Sequence, residues 1–326
     1  MKVIYEKLPS KRRKCVVAIG VFDGIHLGHQ AILKKAKEES RKEGLYSLVI
    51  TFDIPPQWFL RNYPPKNNSR PKKYFLGCLT DFQQKVVFIK SLDIDYLWFL
   101  KTSRDLLRLG AEEFISYIYR YFDVQKIIVG EDFRFGRAGE GDIRYLKKFS
   151  AKYGFKLIIM KKIKKAEKII SSSIVRKLIS EGKIKEARKF LGRYFSLKGR
   201  VIKGKRLGRK LGFPTANVKV CNYVVPHEGV YASYAIIKNK AYLAAVNIGK
   251  QPRSLKPEEK LIEVHIINFG KNILGKVVEV IFLAKAREEK RISSIIKLKE
   301  TIKKDIQQIT AKYSIPPVKY PQLLVA

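Results

Sequence analysis

The sequence is poor in cysteine and contains no long apolar run. Its three cysteines, Cys15, Cys78 and Cys221, are odd in number, far apart and outside any Cys-x-x-Cys spacing. That pattern argues against a disulfide framework and against a zinc site, and it fits a reducing cytoplasm. No stretch of about 18 uncharged apolar residues occurs, so we expect no membrane span. Residues 1–14 are basic but lack the apolar centre of a signal peptide, which predicts a cytoplasmic protein.

Acidic residues are also scarce. The 326 residues include 29 Asp and Glu against 68 Lys and Arg, which gives a formal net charge of +39. Such an excess attracts polyanions, from nucleotides to nucleic acids and anionic membranes. The basic residues are nevertheless spread along the chain, without a dense block or regular aromatic interleaving. We therefore expect phosphorylated small ligands, with no dedicated nucleic-acid partner and no membrane partner.

What the first half does contain is a regular alternation of elements. Amphipathic stretches with helical spacing alternate there with apolar runs, and the predicted strands are 14–19, 46–52, 95–100, 126–130 and 155–163. Strand–helix–strand repetition of this kind predicts a doubly wound α/β domain with a parallel sheet. The Pro-rich stretch 53–71 is expected to be a loop. Residues 171–192 are expected to form two short helices that break at Glu181 and Gly182.

The second half has a different pattern. From about Phe195 it consists of short β-type runs separated by Gly, Asn and Pro, and only about 293–313 has helical spacing. This predicts an antiparallel sheet or small β-barrel with a C-terminal helix. We therefore expect two domains, 1–187 and 188–326, without a long linker, an internal repeat or a low-complexity segment.

The segment GVFDGIHLGHQ, residues 20–30, lies between the first predicted strand and the first predicted helix. His26 and His29 have three possible roles: binding a metal, capping the helix or contacting a phosphate. A metal is disfavoured, because no cysteine or third histidine is close enough in sequence to complete a coordination set. In the capping alternative, His29 caps the helix and His26 fills a turn. Gly24 and Gly28 point to phosphate, because glycine lets backbone approach an anion at a helix N-terminus.

Two later segments favour the phosphate interpretation. VGEDFRFG, residues 129–136, follows a predicted strand and places Asp132 on a second strand-end loop. ISSSIVR, residues 170–176, offers hydroxyl groups and Arg176 at the start of a helix. By itself the serine run is typical of an ordinary N-cap. Three such loops after three strands are hard to explain as caps alone, since ligands of parallel sheets bind at the carboxyl ends of strands.

Two segments of the second half carry candidate chemistry. In GRKLGFPTANV, residues 208–218, Pro214 fixes the chain before Thr215 and Asn217, whose hydroxyl and amide oxygens are hard ligands for Mg²⁺. A plain turn in a β-protein is the alternative. EVHIINF puts Glu263 on a strand, where a carboxylate could accept the proton of an alcohol that attacks a γ-phosphate. The alternation of this strand does not say which face is buried.

The N-terminal motifs G-x-F-D-G-x-H-x-G-H, V-G-x-D-F-x-F-G and I-S-S-[ST]-x-x-R resemble a known family. They are similar to the adenylyltransferase module of bacterial bifunctional riboflavin kinase/FAD synthetases, in the nucleotidylyltransferase superfamily. The resemblance implies conversion of FMN and ATP to FAD and pyrophosphate with Mg²⁺. It implies that His26 and His29 act in catalysis at the triphosphate. It further implies a nucleotide site formed by Phe22, Asp23, Gly24, Gly28, Asp132, Ser171, Ser172 and Arg176.

Three positions depart from the pattern of this module. The family often has T-F-[DE]-P-H-P after its second strand, whereas this chain has TFDIPP, with Pro55 in place of the histidine. Val21 stands where Asn is common, and Ser173 stands where Thr is usual. The histidine helps to position FMN in the family. A monofunctional riboflavin kinase with an impaired N-terminal domain is therefore the first alternative.

The C-terminal motifs resemble the riboflavin kinase domain of the same family, which is a six-stranded β-barrel. They are G-R-x-L-G-F-P-T-A-N from Gly208, G-V-Y-A at 229–232, N-I-G at 247–249 and E-V-H at 263–265. The resemblance implies phosphorylation of riboflavin by Mg-ATP, with Glu263 as general base. Thr215 and Asn217 would hold metal and nucleotide, Gly208 would line the nucleotide site, and Arg287 would lie near the flavin.

Together the two resemblances cover nearly the whole chain in the family's order. We therefore expect a bifunctional enzyme that makes FMN from riboflavin and FAD from FMN at two separate sites, using ATP and Mg²⁺. Arg253 replaces the Thr of the family's N-I-G-x-x-P-T segment. A nucleic-acid-binding protein on a nucleotide-binding fold, motivated by the charge, is the second alternative. The sequence makes no prediction of oligomeric state.

Overall fold

The computed structural model describes residues 1–5, 11–63, 76–165, 167–204, 207–250, 259–290, 292 and 294–315. Its internal contacts divide the chain into two compact units. The first, 1–75 with 81–171, is called the sheet unit below. The second, 76–80 with 172–326, is called the barrel unit. Among the described residues, no helix is both long enough and apolar enough to cross a membrane.

The sheet unit is built on six parallel strands. They are β1 (Lys2–Ile4), β2 (Lys14–Ile19), β3 (Tyr46–Phe52), β4 (Tyr96–Leu100), β5 (Asp123–Gly130) and β6 (Lys156–Met160). Their order is β1-β4-β3-β2-β5-β6, and all five pairings are parallel. Most residues of the central strands β2 to β5 are buried, as in a parallel sheet covered on both faces. The predicted parallel sheet is confirmed, and β1 is an edge strand that the sequence analysis did not predict.

Helices connect these strands. They are α1 (Leu27–Lys42), α2 (Pro56–Asn62), α3 (Phe82–Lys90), α4 (Arg104–Arg108), α5 (Ala111–Tyr121) and α6 (Ile143–Tyr153). A two-stranded hairpin follows, β7 (Lys164–Lys165) with β8 (Lys168–Ile169). The prediction of a loop over 53–71 was wrong for α2, which begins at Pro56, a position where the missing N–H has no helical partner to lose. Residues 64–71 of that prediction lie outside the described residues.

The strand order places a topological switch point at β2 and β5. From β2 the chain adds β3 and β4 on one side, and then crosses to add β5 and β6 on the other. The segments that follow β2 and β5 therefore leave the same edge of the sheet in diverging directions, which opens a crevice between them. Ligands of open parallel sheets bind in a crevice of this kind. GVFDG follows β2, and GEDFRFG begins at the end of β5.

The barrel unit is a closed antiparallel barrel with helices around it. Its helices are α7 (Ser172–Ser180), α8 (Ile184–Leu191), α9 (Leu207–Lys210) and α10 (Ile295–Lys312). Its strands are β9 (Phe195–Ile202), β10 (Ala216–Cys221), β11 (Gly229–Ile237), β12 (Lys240–Ile248), β13 (Glu259–Ile266) and β14 (Val277–Arg287). Closure in the order β10-β13-β12-β11-β14-β9 leaves none of these strands with a free edge. The predicted barrel, its terminal helix and the helix break near Gly182 are confirmed.

The division of contacts falls at 171/172. Helices α7 and α8 pack on each other, and α8 packs on β9 and β14, so both helices belong to the barrel unit by contact. The short segment 76–80 also belongs to the barrel unit, because Cys78 pairs with Tyr223 in a β-bridge. The boundary at 187/188 between two functional domains stays a prediction.

Candidate active sites

The loop after β2 has a tight backbone held by buried side chains. Phe22, Gly24 and Ile25 have φ angles of 45°, 82° and 39°, and Phe22 and Ile25 are almost completely buried. Non-glycine residues rarely adopt such left-handed values, and they persist only where the surroundings fix them. Asp23 is also buried, at 1% exposure. The loop is therefore held in one shape by the fold.

His26 caps helix α1. Its Nδ1 accepts a hydrogen bond from the backbone N–H of His29 at 3.3 Å. The capping alternative of the sequence analysis placed this role on His29 and was wrong about which histidine caps. Because Nδ1 accepts, the hydrogen of the neutral His26 ring lies on Nε2.

The two imidazoles stack at the N-terminus of α1. Their ring centroids are 3.6 Å apart, and Phe22 packs edge-on against His29 at 5.3 Å. Gly28 makes this arrangement possible, because a Cβ at that position would lie 3.2 Å from Cε1 and Nδ1 of His26. The same Cβ would lie 3.8 Å from the carbonyl oxygen of Ile170, so the residue before the serine run adjoins the first turn of α1.

Asp132 lies at the same edge of the sheet. It follows β5 and forms an ion pair with Lys162 at 3.2 Å between Oδ2 and Nζ. A Cβ at Gly130 would lie 3.3 Å from Oδ1 of Asp132 and 3.7 Å from Cδ1 of Ile32 in α1. Asp132 is therefore near the first turns of the helix that His26 caps.

The serine run is split by the division into units. Ser171 ends the sheet unit, and Ser172 begins α7 in the barrel unit. Within the barrel unit, Arg176 is 8% exposed and its Nε donates to the carbonyl of Gly77 at 2.9 Å. This bond ties the 76–80 segment to α7. The phosphate roles of Ser171, Ser172 and Arg176 stay predictions.

The segment TFDIPP forms an ordered turn without the family's histidine. Asp53 Oδ1 accepts from the backbone N–H groups of Ile54 and Thr102 at 2.6 and 2.9 Å. The hydroxyl of Thr102 donates to the carbonyl of Ile54 at 2.6 Å, and that of Tyr5 donates to Asp53 Oδ2 at 3.0 Å. Asp53 therefore fixes this turn, a role that the sequence analysis did not assign.

In the barrel unit, Glu263 lies between two asparagines. Strand pairing places Asn217 of β10 directly opposite Glu263 on one side and Asn247 of β12 opposite it on the other. Directly paired residues have side chains on one face of a sheet. Asn247 Nδ2 donates to Glu263 Oε2 at 3.3 Å. Ile262 and Val264 are fully buried, so Glu263 faces the outside of the barrel, which answers the question left open by the sequence.

Two glycines make room for the metal and nucleotide candidates. A Cβ at Gly204 would lie 1.9 Å from Asn217 Nδ2, and a Cβ at Gly208 would lie 2.5 Å from Thr215 Oγ1. Thr215 Oγ1 donates to the carbonyl of Phe213 at 3.0 Å. The side chain of Asn217 is thus packed against the backbone of Gly204, and that of Thr215 against the backbone of Gly208.

A cavity of about 1380 Å³ brings the barrel candidates together. Its walls include Gly208, Thr215, Asn217, Glu263 and Arg287, the five barrel residues expected from the sequence, and also Asn247, Glu289 and Asp305. This volume is above the roughly 300–1,000 Å³ of ordinary small-molecule pockets. The convergence of residues from strands, loops and α10 makes it the candidate kinase site.

Arg287 is held at the cavity wall by α10. Its Nε donates to both carboxylate oxygens of Asp305 at 2.9 and 3.0 Å, and its Nη2 donates to Oδ2 at 2.9 Å. Bidentate pairs of this kind fix the plane of the guanidinium. Asp305 could not be foreseen, because the pairing depends on how α10 packs.

Glu289 adds a second carboxylate to the cavity wall. Partial desolvation, followed by the negative charges of Glu228 and Glu263, raises the pKa of Glu289. A Cβ at Gly249 would lie 2.9 Å from Oε1 of Glu289. Glu289, two residues after the end of β14, therefore lies close to Gly249, the residue directly after β12.

The donor set at the cavity fits Mg²⁺ only in part. A hydroxyl, an amide and a carboxylate are hard oxygen ligands, of the kind that complete a magnesium shell with phosphate and water. The described residues contain no group of three or more His, Cys, Asp or Glu that could hold a metal. A magnesium ion held by Thr215 and Asn217 would therefore need substrate oxygens as further ligands.

Comparison with known proteins matches both units. The family model described as FAD synthetase matches residues 8–174, and the model described as riboflavin kinase matches residues 191–313. A bifunctional riboflavin kinase/FMN adenylyltransferase of Buchnera aphidicola subsp. Schizaphis graminum is 40% identical over 301 residues, 91% of this chain and 93% of the relative. The protein of that name from Escherichia coli K12 is 33% identical over 312 residues, 95% of each chain.

A solved structure shares the fold. It is described as a macrolide-efflux protein from Streptococcus pneumoniae and has a TM-score of 0.79 at 28% identity, covering 94% of this chain and 96% of that one. The resemblance found in the sequence motifs is thus confirmed for both halves of the chain. The chain belongs to the family of bifunctional riboflavin kinase/FMN adenylyltransferases.

Proposed function

We propose that this chain phosphorylates riboflavin to FMN in its barrel unit, and that the edge of its parallel sheet is where FMN is adenylylated to FAD. The single observation that carries the kinase half is the row Asn217–Glu263–Asn247 on the wall of the cavity. The observation that carries the transferase half is the histidine stack at the N-terminus of α1, at the switch point of the sheet.

In the kinase reaction, Glu263 is the general base. Its carboxylate takes the proton of the ribityl 5′-hydroxyl as that oxygen bonds to the γ-phosphorus of ATP, and the bond from this phosphorus to ADP breaks. Asn247 holds one carboxylate oxygen of Glu263 and leaves the other for the substrate hydroxyl. Arg287, fixed by Asp305, is proposed to contact the flavin.

Thr215 and Asn217 are the residues that would hold Mg²⁺, and Gly208 lets the nucleotide phosphates approach the backbone. When bound, the metal neutralises phosphate charge. The chain's own contribution is placement, because the two side chains are fixed on either side of the first residue of β10.

In the transferase reaction, a phosphate oxygen of FMN attacks the α-phosphorus of ATP and pyrophosphate leaves. No covalent enzyme intermediate is needed, so positioning and charge stabilisation supply the catalysis. His26 and His29 are proposed to contact the triphosphate, with Phe22, Asp23, Gly24 and Gly28 shaping the loop. Ser171, Ser172, Arg176 and Asp132 stay motif-based candidates for the nucleotide.

The test is an assay of the purified full chain. With riboflavin, ATP and Mg²⁺, we expect FMN first and then FAD, with one pyrophosphate released per FAD. Chromatography of the flavins measures both products. FMN without FAD or pyrophosphate would support the monofunctional kinase instead, for which Pro55 in place of the family's histidine is the motivating observation. Omitting Mg²⁺ tests the metal requirement in the same assay.

The remaining expectations are separate from this assay. The cytoplasmic location and the lack of a dedicated nucleic-acid partner stay predictions. A salt titration of DNA and RNA binding tests the second, because binding that depends on the +39 charge alone weakens steeply with salt. Submicromolar binding at physiological salt would contradict it.

A further inference from the structure

Lys85 is a buried cation in the sheet unit that no proposed role has used. Its side chain is 1% exposed, although lysine is among the residues least often buried. It lies in the first turns of α3, which begins with a capping box between Asp81 and Gln84. This box fixes the start of the helix and therefore the direction in which Lys85 leaves it.

The ammonium group of Lys85 joins the two loops that bound the candidate transferase site. Nζ donates to the carbonyl of Val21 at 3.0 Å and to the carbonyl of Phe52 at 2.9 Å. Val21 belongs to GVFDG after β2, and Phe52 ends β3 at the start of the TFDIPP turn. The strands are neighbours in parallel register, so both carbonyls lie at the carboxyl edge of the sheet.

The same point on the first loop has a second hydrogen bond. The hydroxyl of the buried Thr51 donates to the carbonyl of Val21 at 2.9 Å. Directly after Val21 the backbone passes through left-handed values at Phe22 and Ile25. Residues in this conformation are strained and need surrounding contacts to hold them. Two donors on one carbonyl supply such contacts immediately before the strained residues.

We infer that Lys85 is a positioning residue for FMN adenylylation, which holds the flavin-side turn and the histidine loop at a fixed separation. This inference rests on the proposed transferase site. Burying an ammonium group is unfavourable unless hydrogen bonds replace its hydration. Here the replacements are backbone carbonyls of both loops, so the stabilisation depends on the two loops being in place together. This chain lacks the family's histidine in TFDIPP. The hydrogen bond from Lys85 to the carbonyl of Phe52 positions the TFDIPP turn through its backbone instead.

The experiment compares Lys85→Met with Lys126→Met. Lys126 is the other buried lysine of the described residues, and its Nζ pairs with Glu39 at 2.7 Å and Glu43 at 2.6 Å, not with a loop carbonyl. In Lys85→Met, kcat/KM for FMN in FAD formation should fall at least about 10-fold, with riboflavin phosphorylation within about twofold of the parent. In Lys126→Met the melting temperature should fall, with kcat/KM for FMN within about twofold of the parent.

Amide hydrogen exchange supplies the readout that does not depend on activity. Peptides covering 20–26 and 51–55 should exchange faster in Lys85→Met and not in Lys126→Met. Equal losses of FAD formation in the two variants, or unchanged exchange in both peptides, would overturn the inference. If the parent chain makes no FAD, the proposed transferase function fails, and the exchange comparison still tests the bond between the loops.

A second variant covers the case in which Lys85→Met does not fold. Lys85→Gln retains an N–H donor for one carbonyl, so its loss of FAD formation should be smaller than that of Lys85→Met. If the sheet unit unfolds in both variants while the kinase persists, Lys85 serves the folding of the unit as a whole, and the positioning role is overturned.

Discussion

The sheet unit and the barrel unit carry their candidate sites on different kinds of backbone. In the sheet unit, the histidines and Asp132 lie on segments that follow strands, and the loop before His26 passes through left-handed values. In the barrel unit, Glu263 and its two asparagines lie within strands. The first site depends on the shape of loops, and the second on the register of a sheet.

This difference determines what each site needs from the rest of its unit. Side chains on paired strands are positioned by backbone hydrogen bonds that the barrel makes in any case. Side chains on a strained loop require further bonds, of which Thr51 and Lys85 to the carbonyl of Val21 are examples. We therefore expect the two activities to be separable by mutation, and the variants below are ordered by the size of the expected effect.

The largest effect is expected from Glu263→Gln. The amide keeps the shape of the side chain and removes the base, so FMN formation should fall by about 10³-fold. FAD formation from added FMN should stay within about twofold. Initial rates of both reactions on one preparation measure this. Glu288→Gln, an exposed carboxylate paired with Lys285, is the control, and a kinase that survives Glu263→Gln would show that Glu263 is not the base.

His29→Ala should act on the other site. Loss of the imidazole at the N-terminus of α1 should lower FAD formation by about 10²-fold and leave riboflavin phosphorylation intact. The backbone N–H of residue 29 can still donate to His26 Nδ1, so the helix cap is retained. His227→Ala, at an exposed histidine, is the matched control. If both activities fell together, the cause would be misfolding or coupling between the units. That result would contradict a local phosphate contact of His29.

Gly204→Ala tests whether the barrel site depends on close packing. The new Cβ would overlap Asn217 Nδ2, so the asparagine must move, and kcat/KM of the kinase should fall about 10-fold. Asn217→Ala is the comparison variant. If Gly204→Ala acts through Asn217, the double variant should be no worse than Asn217→Ala alone. Additive losses would show that Gly204 acts in another way.

The smallest effect is expected from Glu39→Gln. Glu39 is not part of the candidate site, and its replacement should change only the stability of the sheet unit. Hydrogen bonds from Lys126, and then from Lys35, lower the pKa of Glu39 to about 2 from 4.5. A depressed pKa means that ionised Glu39 stabilises the folded state above pH 4.5, and that this stabilisation is lost as the pH falls towards 2. Glu39→Gln should lower the melting temperature at pH 7 by about 2–4 °C.

The pH dependence gives this variant its own check. The difference in melting temperature should shrink below pH 4.5 and disappear near pH 2, while both activities at pH 7 stay close to those of the parent. Glu38→Gln is the control, since Glu38 is half exposed and should contribute less. A difference that is independent of pH would mean that the charge of Glu39 does not stabilise the unit.

Much of the fold followed from the sequence. Continuous apolar runs predicted β2 to β6, because such runs form strands buried on both faces. The sequence does not predict the edge strand β1, because three residues carry too little periodicity. It does not predict α2 either, because prolines are as common in loops as at the first position of a helix. The candidate site residues were predicted from motif order and stay predictions. The motif N-I-G included Asn247 without indicating its bond to Glu263, and no local pattern indicated the contacts of Asp53, Lys85 and Asp305.

Hydrophobic periodicity and motif spacing are local properties of the chain, and they were enough to predict the two kinds of fold and the family to which the chain belongs. The folded structure showed that Glu263 faces out of the barrel between two asparagines, and that His26, not His29, caps α1. It alone showed that Lys85 joins Val21 and Phe52, residues 64 and 33 positions away. Contacts over such separations depend on strand pairing and helix packing, which no local pattern encodes.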